Sequence, residues 1–210
     1  MLNYLLDTPP DIAGFLMVAL VFVVALSLHE FGHAAAATLQ GDPTAKDAGR
    51  LTVNPKAHMD PLGTVMIVLV GFGWGKPVPF APNKLRSARF GAALVAVAGP
   101  AVNFALAITA AAFFVRLIGT ASNLTLEFLF MNLRLNVVLG VFNLLPIPPL
   151  DGSRLLSVFL PPSKQHWIYF LDRWGFVILL VFVFLLFPFF AGPIINGVVE
   201  FILTLVGGAI

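Results

Sequence analysis

The feature that most constrains this chain is an apolar run from Asp11 to Thr38 that carries two histidines and a glutamate, His29, Glu30 and His33, near its far end. Such a run is long enough to cross a bilayer, which takes roughly 20 apolar residues. Ionisable side chains inside one are costly unless they find partners there. Further apolar runs follow at 90–117, 124–145, 174–187 and 194–206. Of the 210 residues, 59% are hydrophobic and 10% charged, whereas soluble domains are about half apolar and a quarter charged. So few charges cannot coat a water-facing shell. The fold class is therefore an all-α polytopic membrane protein with about five to six transmembrane helices. Intrinsic disorder, nucleic-acid binding and a secreted disulfide scaffold are excluded as classes. With no cysteine, there is no thiol nucleophile and no Cys-based zinc site.

The punctuation of the chain refines this picture. Asp11 is placed to cap the first helix. A polar stretch, residues 40–60, is followed by a short apolar run at 62–70 and then by the Gly- and Pro-rich segment GFGWGKPVPFAP, Gly71 to Pro82. Together, residues 62–82 predict a re-entrant loop or hairpin, tolerated at membrane depth only where protein or water covers its backbone. Pro146, Pro148 and Pro149 interrupt the third span. A helix is expected to resume over 150–160 and to stop at Pro161 and Pro162. Residues 1–210 read as a single transmembrane domain, with a core at about 11–160 and C-terminal helices at about 167–210. No repeat, appended soluble domain or cleavable signal peptide is expected, since the N-terminus is not basic.

Charge placement predicts an orientation. Seven of the twelve Lys and Arg, namely Lys46, Arg50, Lys56, Lys76, Lys84, Arg86 and Arg89, lie between the first and second spans. None precedes the first span, where Asp7 and Asp11 lie. The positive-inside rule then puts the N-terminus outside and this loop in the cytoplasm.

Residues 29–33 read HEFGH. His29 and His33 are four apart, so on a helix their side chains share one face, one turn apart. Two imidazoles so placed can grip one zinc, and Glu30 beside it can take a proton from an attacking water. Chance yields only about 0.001 copies of this pattern in a chain of this composition. A catalytic zinc normally keeps three protein ligands and one open position. Candidates for the third are His58, His166, Asp60, Asp151, Asp172, Glu127 and Glu200. Asp151 is best placed, because it follows prolines that can turn a side chain inward. It is equally suited to cap the helix after Pro149.

HEFGH in a first span, GPAVN (Gly99 to Asn103) and NLLPIPPLDG (Asn143 to Gly152) together resemble the site-2 protease family of intramembrane zinc metalloproteases. NPKAHMDPLGT (Asn54 to Thr64) and GWGKPVPFAP (Gly73 to Pro82) also resemble its compact prokaryotic members, and the motifs stand in family order. The resemblance covers about residues 15–160. It implies one zinc per chain held by His29, His33 and Asp151, with Glu30 as general base and acid. It implies that Asn143 stabilises the substrate carbonyl or its oxyanion and that Asn103 supports the site. It implies hydrolysis of peptide bonds in or near transmembrane segments of membrane-protein substrates, within a prokaryotic cell membrane. HEFGH lies toward the C-terminal half of the first span, so with the orientation that the charges predict the site is expected nearer the cytoplasmic face. The family pattern has a histidine at His58 that is not a ligand, so a loop-ordering hydrogen bond is expected there. The Gly71–Pro82 segment is suited to pair with an unwound substrate strand. Members often carry a PDZ insertion or a CBS tail. This sequence has space for neither, so substrate choice falls to the helices, the loops, a second copy or an accessory membrane protein. Nucleic acid is not an expected partner.

Overall fold

The computed structural model describes residues 11–70, 73–159 and 165–207. Helix α1 spans Ile12–Leu39. The Asp11 carboxylate caps it, accepting a hydrogen bond from the Gly14 amide at 2.8 Å and satisfying one of the first-turn amides. The helix stops at Gly41, whose φ of +99° is a left-handed conformation that only glycine adopts cheaply. The amides of Gly41 and Asp42 then turn back onto the carbonyls of Thr38 and Ala37 at 3.0 and 3.1 Å.

Two single-turn helices follow, α2 (Thr44–Asp47) and α3 (Pro55–His58), then α4 (Pro61–Val70) and a 3₁₀ turn over Pro82–Lys84. The long helices α5 (Ala88–Leu117) and α6 (Asn123–Asn143) come next. Helix α6 opens at Ser122, whose side chain accepts from the Thr125 amide at 3.2 Å. After the proline break come α7 (Asp151–Phe159), α8 (Gln165–Val181), a π-helical turn (Phe182–Leu186) and α9 (Phe187–Leu205).

Helices α1, α5 and α6 are each long and apolar enough to cross a membrane. The stretch 173–186 and the helix 189–205 meet that test only as a pair, bent by 83°. The described residues thus hold three such helices, or four with the bent pair, against the five to six expected. The difference arises where the runs at 174–187 and 194–206 join into one bent unit. The run at 62–70, not expected to span, lies in a ten-residue helix, which at 1.5 Å per residue covers about half of a 30 Å hydrocarbon core. The proline break falls where expected, between Asn143 and Asp151. Pro161 and Pro162 lie outside the described residues.

Helix α5 sits at the centre, with α1 and α6 on its two sides and α7 and α9 packed against it. The α5–α6–α9 contact is built on small residues facing large ones. Ala107, Ala110 and Ala111 receive Leu133, Val137, Ile195, Val199, Ile202 and Leu203, all buried. Small residues let helices approach closely where a bilayer offers no hydrophobic drive between them. Leu16, Leu20 and Val24 lie on the outward face of α1, the surface a lipid chain would cover.

The polar loop between α1 and α5 is ordered by internal hydrogen bonds. The Asp42 carboxylate accepts from the amide and hydroxyl of Thr44 at 3.0 and 2.5 Å and from the Ala81 amide at 2.6 Å. Burial alone would raise its pKa. The hydrogen bonds from Thr44 and Ala81 and the charge of Lys84 outweigh it, and the carboxyl titrates below its ordinary value. Asp42 thereby ties the end of α1 to residues 73–81, which return along the loop. There the Lys76 amide donates to the His58 carbonyl at 2.8 Å, and Met59 and Gly75 form an antiparallel bridge. Arg50, which the sequence offers only as a topological charge, is buried. Its guanidinium donates to the carbonyls of Ala57 and Lys76, so it clamps α3 to the returning segment.

Candidate metal centre

His29 and His33 lie on the buried face of α1, one turn apart, with their rings edge to face and centroids 4.6 Å apart. Their Nε2 atoms are 3.0 Å apart. Asp151, the first residue of α7, brings Oδ2 to 3.1 Å from both. Among the described residues these three form the group of His and carboxylate side chains whose ligand atoms converge. The proline break makes this possible. It turns the chain after α6 so that α7 begins against the inner face of α5 and α1.

The outer nitrogens decide what the inner ones can do. His33 Nδ1 lies 2.7 Å from the Val95 carbonyl oxygen, which can only accept, so Nδ1 carries the hydrogen. His29 Nδ1 lies 2.6 Å from Asn103 Oδ1 and donates to it. In the neutral rings both Nε2 atoms therefore present lone pairs, and they converge with a carboxylate oxygen. Three acceptors at 3.0–3.1 Å repel one another unless a cation stands among them. Tetrahedral zinc ligands with bonds of about 2.0–2.2 Å sit about 3.3 Å apart. The donor set thus fits zinc, with outer hydrogen bonds that fix each ring as metal sites usually do. Gly99 completes the fit by absence. A Cβ at that position would lie 2.4 Å from His33 Nε2 and 2.6 Å from His29 Nε2.

The centre opens into a cavity of about 390 Å³. Glu30, Asn143, Arg154 and residues 73–75 line it, with Phe22, Phe142 and Phe176 as apolar wall. Glu30 is thus within the same chamber as the three convergent atoms. Asn143 also faces the chamber, and its amide nitrogen donates one hydrogen to the Leu139 carbonyl at 3.0 Å, leaving the second N–H and the oxygen for other partners. The Arg154 guanidinium lies over the Phe80 ring at 4.9 Å, a cation–π contact at the chamber wall.

The other candidates for a third ligand lie elsewhere. Asp60 accepts from the Gly63 amide at 2.8 Å and caps α4. Glu127 and Glu200 are exposed. His58 is fully buried in the loop, and its Nε2 donates to the Thr52 carbonyl at 2.7 Å, the loop-ordering bond that the sequence predicts. The side chains of His166 and Asp172 lie outside the described residues.

Two residues escape the motif reading. Asn136 Oδ1 accepts from Asn103 Nδ2 at 3.0 Å, and Asn136 Nδ2 donates to both the backbone and side-chain oxygens of Asn132 at 3.0 Å. Both are amides four apart in an apolar helix, the same signal that singles out His29 and His33.

Comparison with known proteins agrees with this chemistry. The profile of peptidase family M50 matches residues 118–186. "Putative zinc metalloprotease YwhC" of Bacillus subtilis (strain 168) is 36% identical over 205 residues, covering 94% of this chain and 93% of its own. "Putative zinc metalloprotease Rip2" of Mycolicibacterium smegmatis is 33% identical over 172 residues, covering 80% of this chain and 66% of its own. The protein of the same name from Mycobacterium tuberculosis (strain H37Rv) is 34% identical over 189 residues, covering 87% and 70%. No solved structure gives a significant match. A match over nearly the full length of the Bacillus relative, with a donor set fit for zinc in an apolar helix bundle, shows that the chain belongs to the site-2 protease family of membrane zinc metalloproteases, peptidase family M50.

Proposed function

We propose that this chain hydrolyses peptide bonds within or beside membrane-spanning segments of other membrane proteins, with His29, His33 and Asp151 as the zinc ligands and Glu30 as the general base and acid. The single observation that carries the reading is the convergence of two imidazole lone pairs and one carboxylate oxygen, 3.0–3.1 Å apart, in the wall of a chamber that Glu30 also lines.

Zinc, when bound, supplies Lewis-acid polarisation of the scissile carbonyl and makes a water acidic enough to attack near neutral pH. Glu30 accepts a proton from the attacking water. The water oxygen bonds to the carbonyl carbon, the C–N bond breaks, and Glu30 returns the proton to the leaving amine nitrogen. Asn143 donates its second N–H to the carbonyl oxygen as negative charge develops there. Asn103 holds His29 through its 2.6 Å hydrogen bond. Residues 73–78, which line the chamber or adjoin it, hold the substrate strand extended, since a carbonyl locked in a helical ladder is closed to attack. Apolar wall residues such as Phe22 and Phe176 suit an apolar substrate segment.

The basic loop after α1 supports an orientation with the N-terminus outside and the chamber toward the cytoplasmic face. Bacterial relatives support a prokaryotic cell membrane. Residues 1–210 are read as a single domain with residues 62–82 as a re-entrant loop or hairpin, and its substrates are chosen by that domain, a second copy or an accessory membrane protein.

The test is Glu30→Gln in detergent or liposomes with a reporter membrane segment. The variant is expected to keep its zinc and to lose cleavage by at least about a hundredfold, as removal of a general base does. Cleavage at the wild-type rate would refute the assignment of Glu30.

A further inference from the structure

The amides behind the metal centre form a one-way chain, and its direction is set far from the ion. The backbone carbonyl of Asn132 can only accept, so the atom of Asn136 facing it at 3.0 Å is the NH₂ group. That leaves Asn136 Oδ1 pointing at Asn103, so the Asn103 atom 3.0 Å away is its NH₂ group. Asn103 Oδ1 is then the atom that faces His29 Nδ1 at 2.6 Å. An oxygen there requires a hydrogen on Nδ1 and leaves the lone pair on Nε2, among the ligand atoms. Flipping either amide would set oxygen against oxygen or NH₂ against N–H. Asn103 and Asn136 are both buried to within 1% of full enclosure, so water cannot repair a reversed link.

We infer that Asn136 is a positioning residue for the metal centre: through Asn103 it fixes the tautomer and ring orientation of His29, so that helix α6 helps determine zinc affinity without touching the ion. This rests on the reading of His29 as a zinc ligand. The first link is a backbone carbonyl that cannot rotate. Asn103 Nδ2 also faces the Ala25 carbonyl of α1, but at 3.5 Å, the long limit of a hydrogen bond, so the 3.0 Å link to Asn136 is the stronger hold on its orientation. An interhelical hydrogen bond serving only as glue needs no particular direction. Outer partners of metal-bound histidines are commonly worth ten- to a hundredfold in metal affinity. Asn136 acts one link further out, and about tenfold is the expected share.

The experiment measures zinc dissociation constants of the full chain in detergent by competition with a chromophoric chelator. It also records the cobalt(II) absorption bands of each protein and the melting temperature without metal. Asn136→Leu removes both links at nearly constant size and is expected to weaken zinc about tenfold and shift the cobalt bands. In an Asn103→Ala background the same substitution is expected to cost nothing more, because the chain is already cut. Asn136→Asp is expected to stay close to wild type. Its carboxyl still accepts from Asn103 and, when protonated, donates to Asn132. Should Asn136→Leu not fold, Asn136→Ala carries the same expectation. If wild type binds zinc and the folded Leu or Ala variant binds it equally well, with unchanged cobalt bands, the inference is wrong whatever happens to the melting temperature. A wild type that binds no zinc overturns the metal reading and the inference with it.

Discussion

Gly99 on α5 faces His33 on α1 so closely that one added methyl group would stand 2.4 Å from the ligand nitrogen of the histidine. The metal centre is therefore shaped by a missing side chain as much as by the ones present. Gly99→Ala is expected to lower zinc affinity more than tenfold, since a carbon at that distance must displace Nε2 from its partners. Equilibrium dialysis against buffered zinc checks it. Alanine favours the helix by roughly 1 kcal/mol over glycine, but forcing a carbon against two buried imidazoles costs about 1–3 kcal/mol whether or not metal is bound, so the metal-free protein should melt at or below wild type. Retained affinity would mean that the two helices are further apart than described.

Much of this site is legible in the sequence because helical geometry is periodic. HEFGH puts two imidazoles on one face whatever the rest of the chain does, and the structure brings them within 3.0 Å. Asp151 is legible only in part. Its place after three prolines shows that the helix breaks, but not which way the chain then turns. The Val95 carbonyl that holds His33 leaves no mark in the sequence, because every residue has a carbonyl. Asn132 and Asn136 do leave one, as amides in an apolar helix. The count of spans is the weakest inference, because the bend of 83° between two apolar helices is set by tertiary packing that composition does not record.

Asp42 gives the loop a pH dependence of known sign. Its carboxyl titrates below the ordinary value in the folded protein, so it stabilises the fold above its unfolded pKa of about 4. That contribution is lost as pH falls through the lower, folded value. Asp42→Asn is expected to melt about 2–4 °C below wild type at pH 7, the scale of one lost hydrogen bond. The gap should narrow as the pH drops below 4. Melting curves across pH 3–7 measure it, and a gap that widens in acid would show that the charge is unfavourable in the fold.

Residues 73–78 border the chamber, and Lys76 already spends its amide on the His58 carbonyl. Val78→Pro removes a backbone donor from the same segment without touching the three convergent side chains. Cleavage of a membrane-segment reporter is expected to fall about tenfold, the value of one charge-free backbone hydrogen bond lost at 1.4 kcal/mol. Zinc content should not change. Unaltered cleavage would remove this segment from substrate binding.

The most direct test of the central claim is the zinc content of the purified, detergent-solubilised protein beside its Asp151→Ala variant, measured by atomic spectroscopy after dialysis against buffered zinc. The arrangement of His29, His33 and Asp151 predicts about one zinc per wild-type chain and a deep loss in the variant, because two imidazoles alone make an incomplete site. Full zinc in the Asp151→Ala protein would contradict it and would show that the third ligand lies elsewhere in the chain.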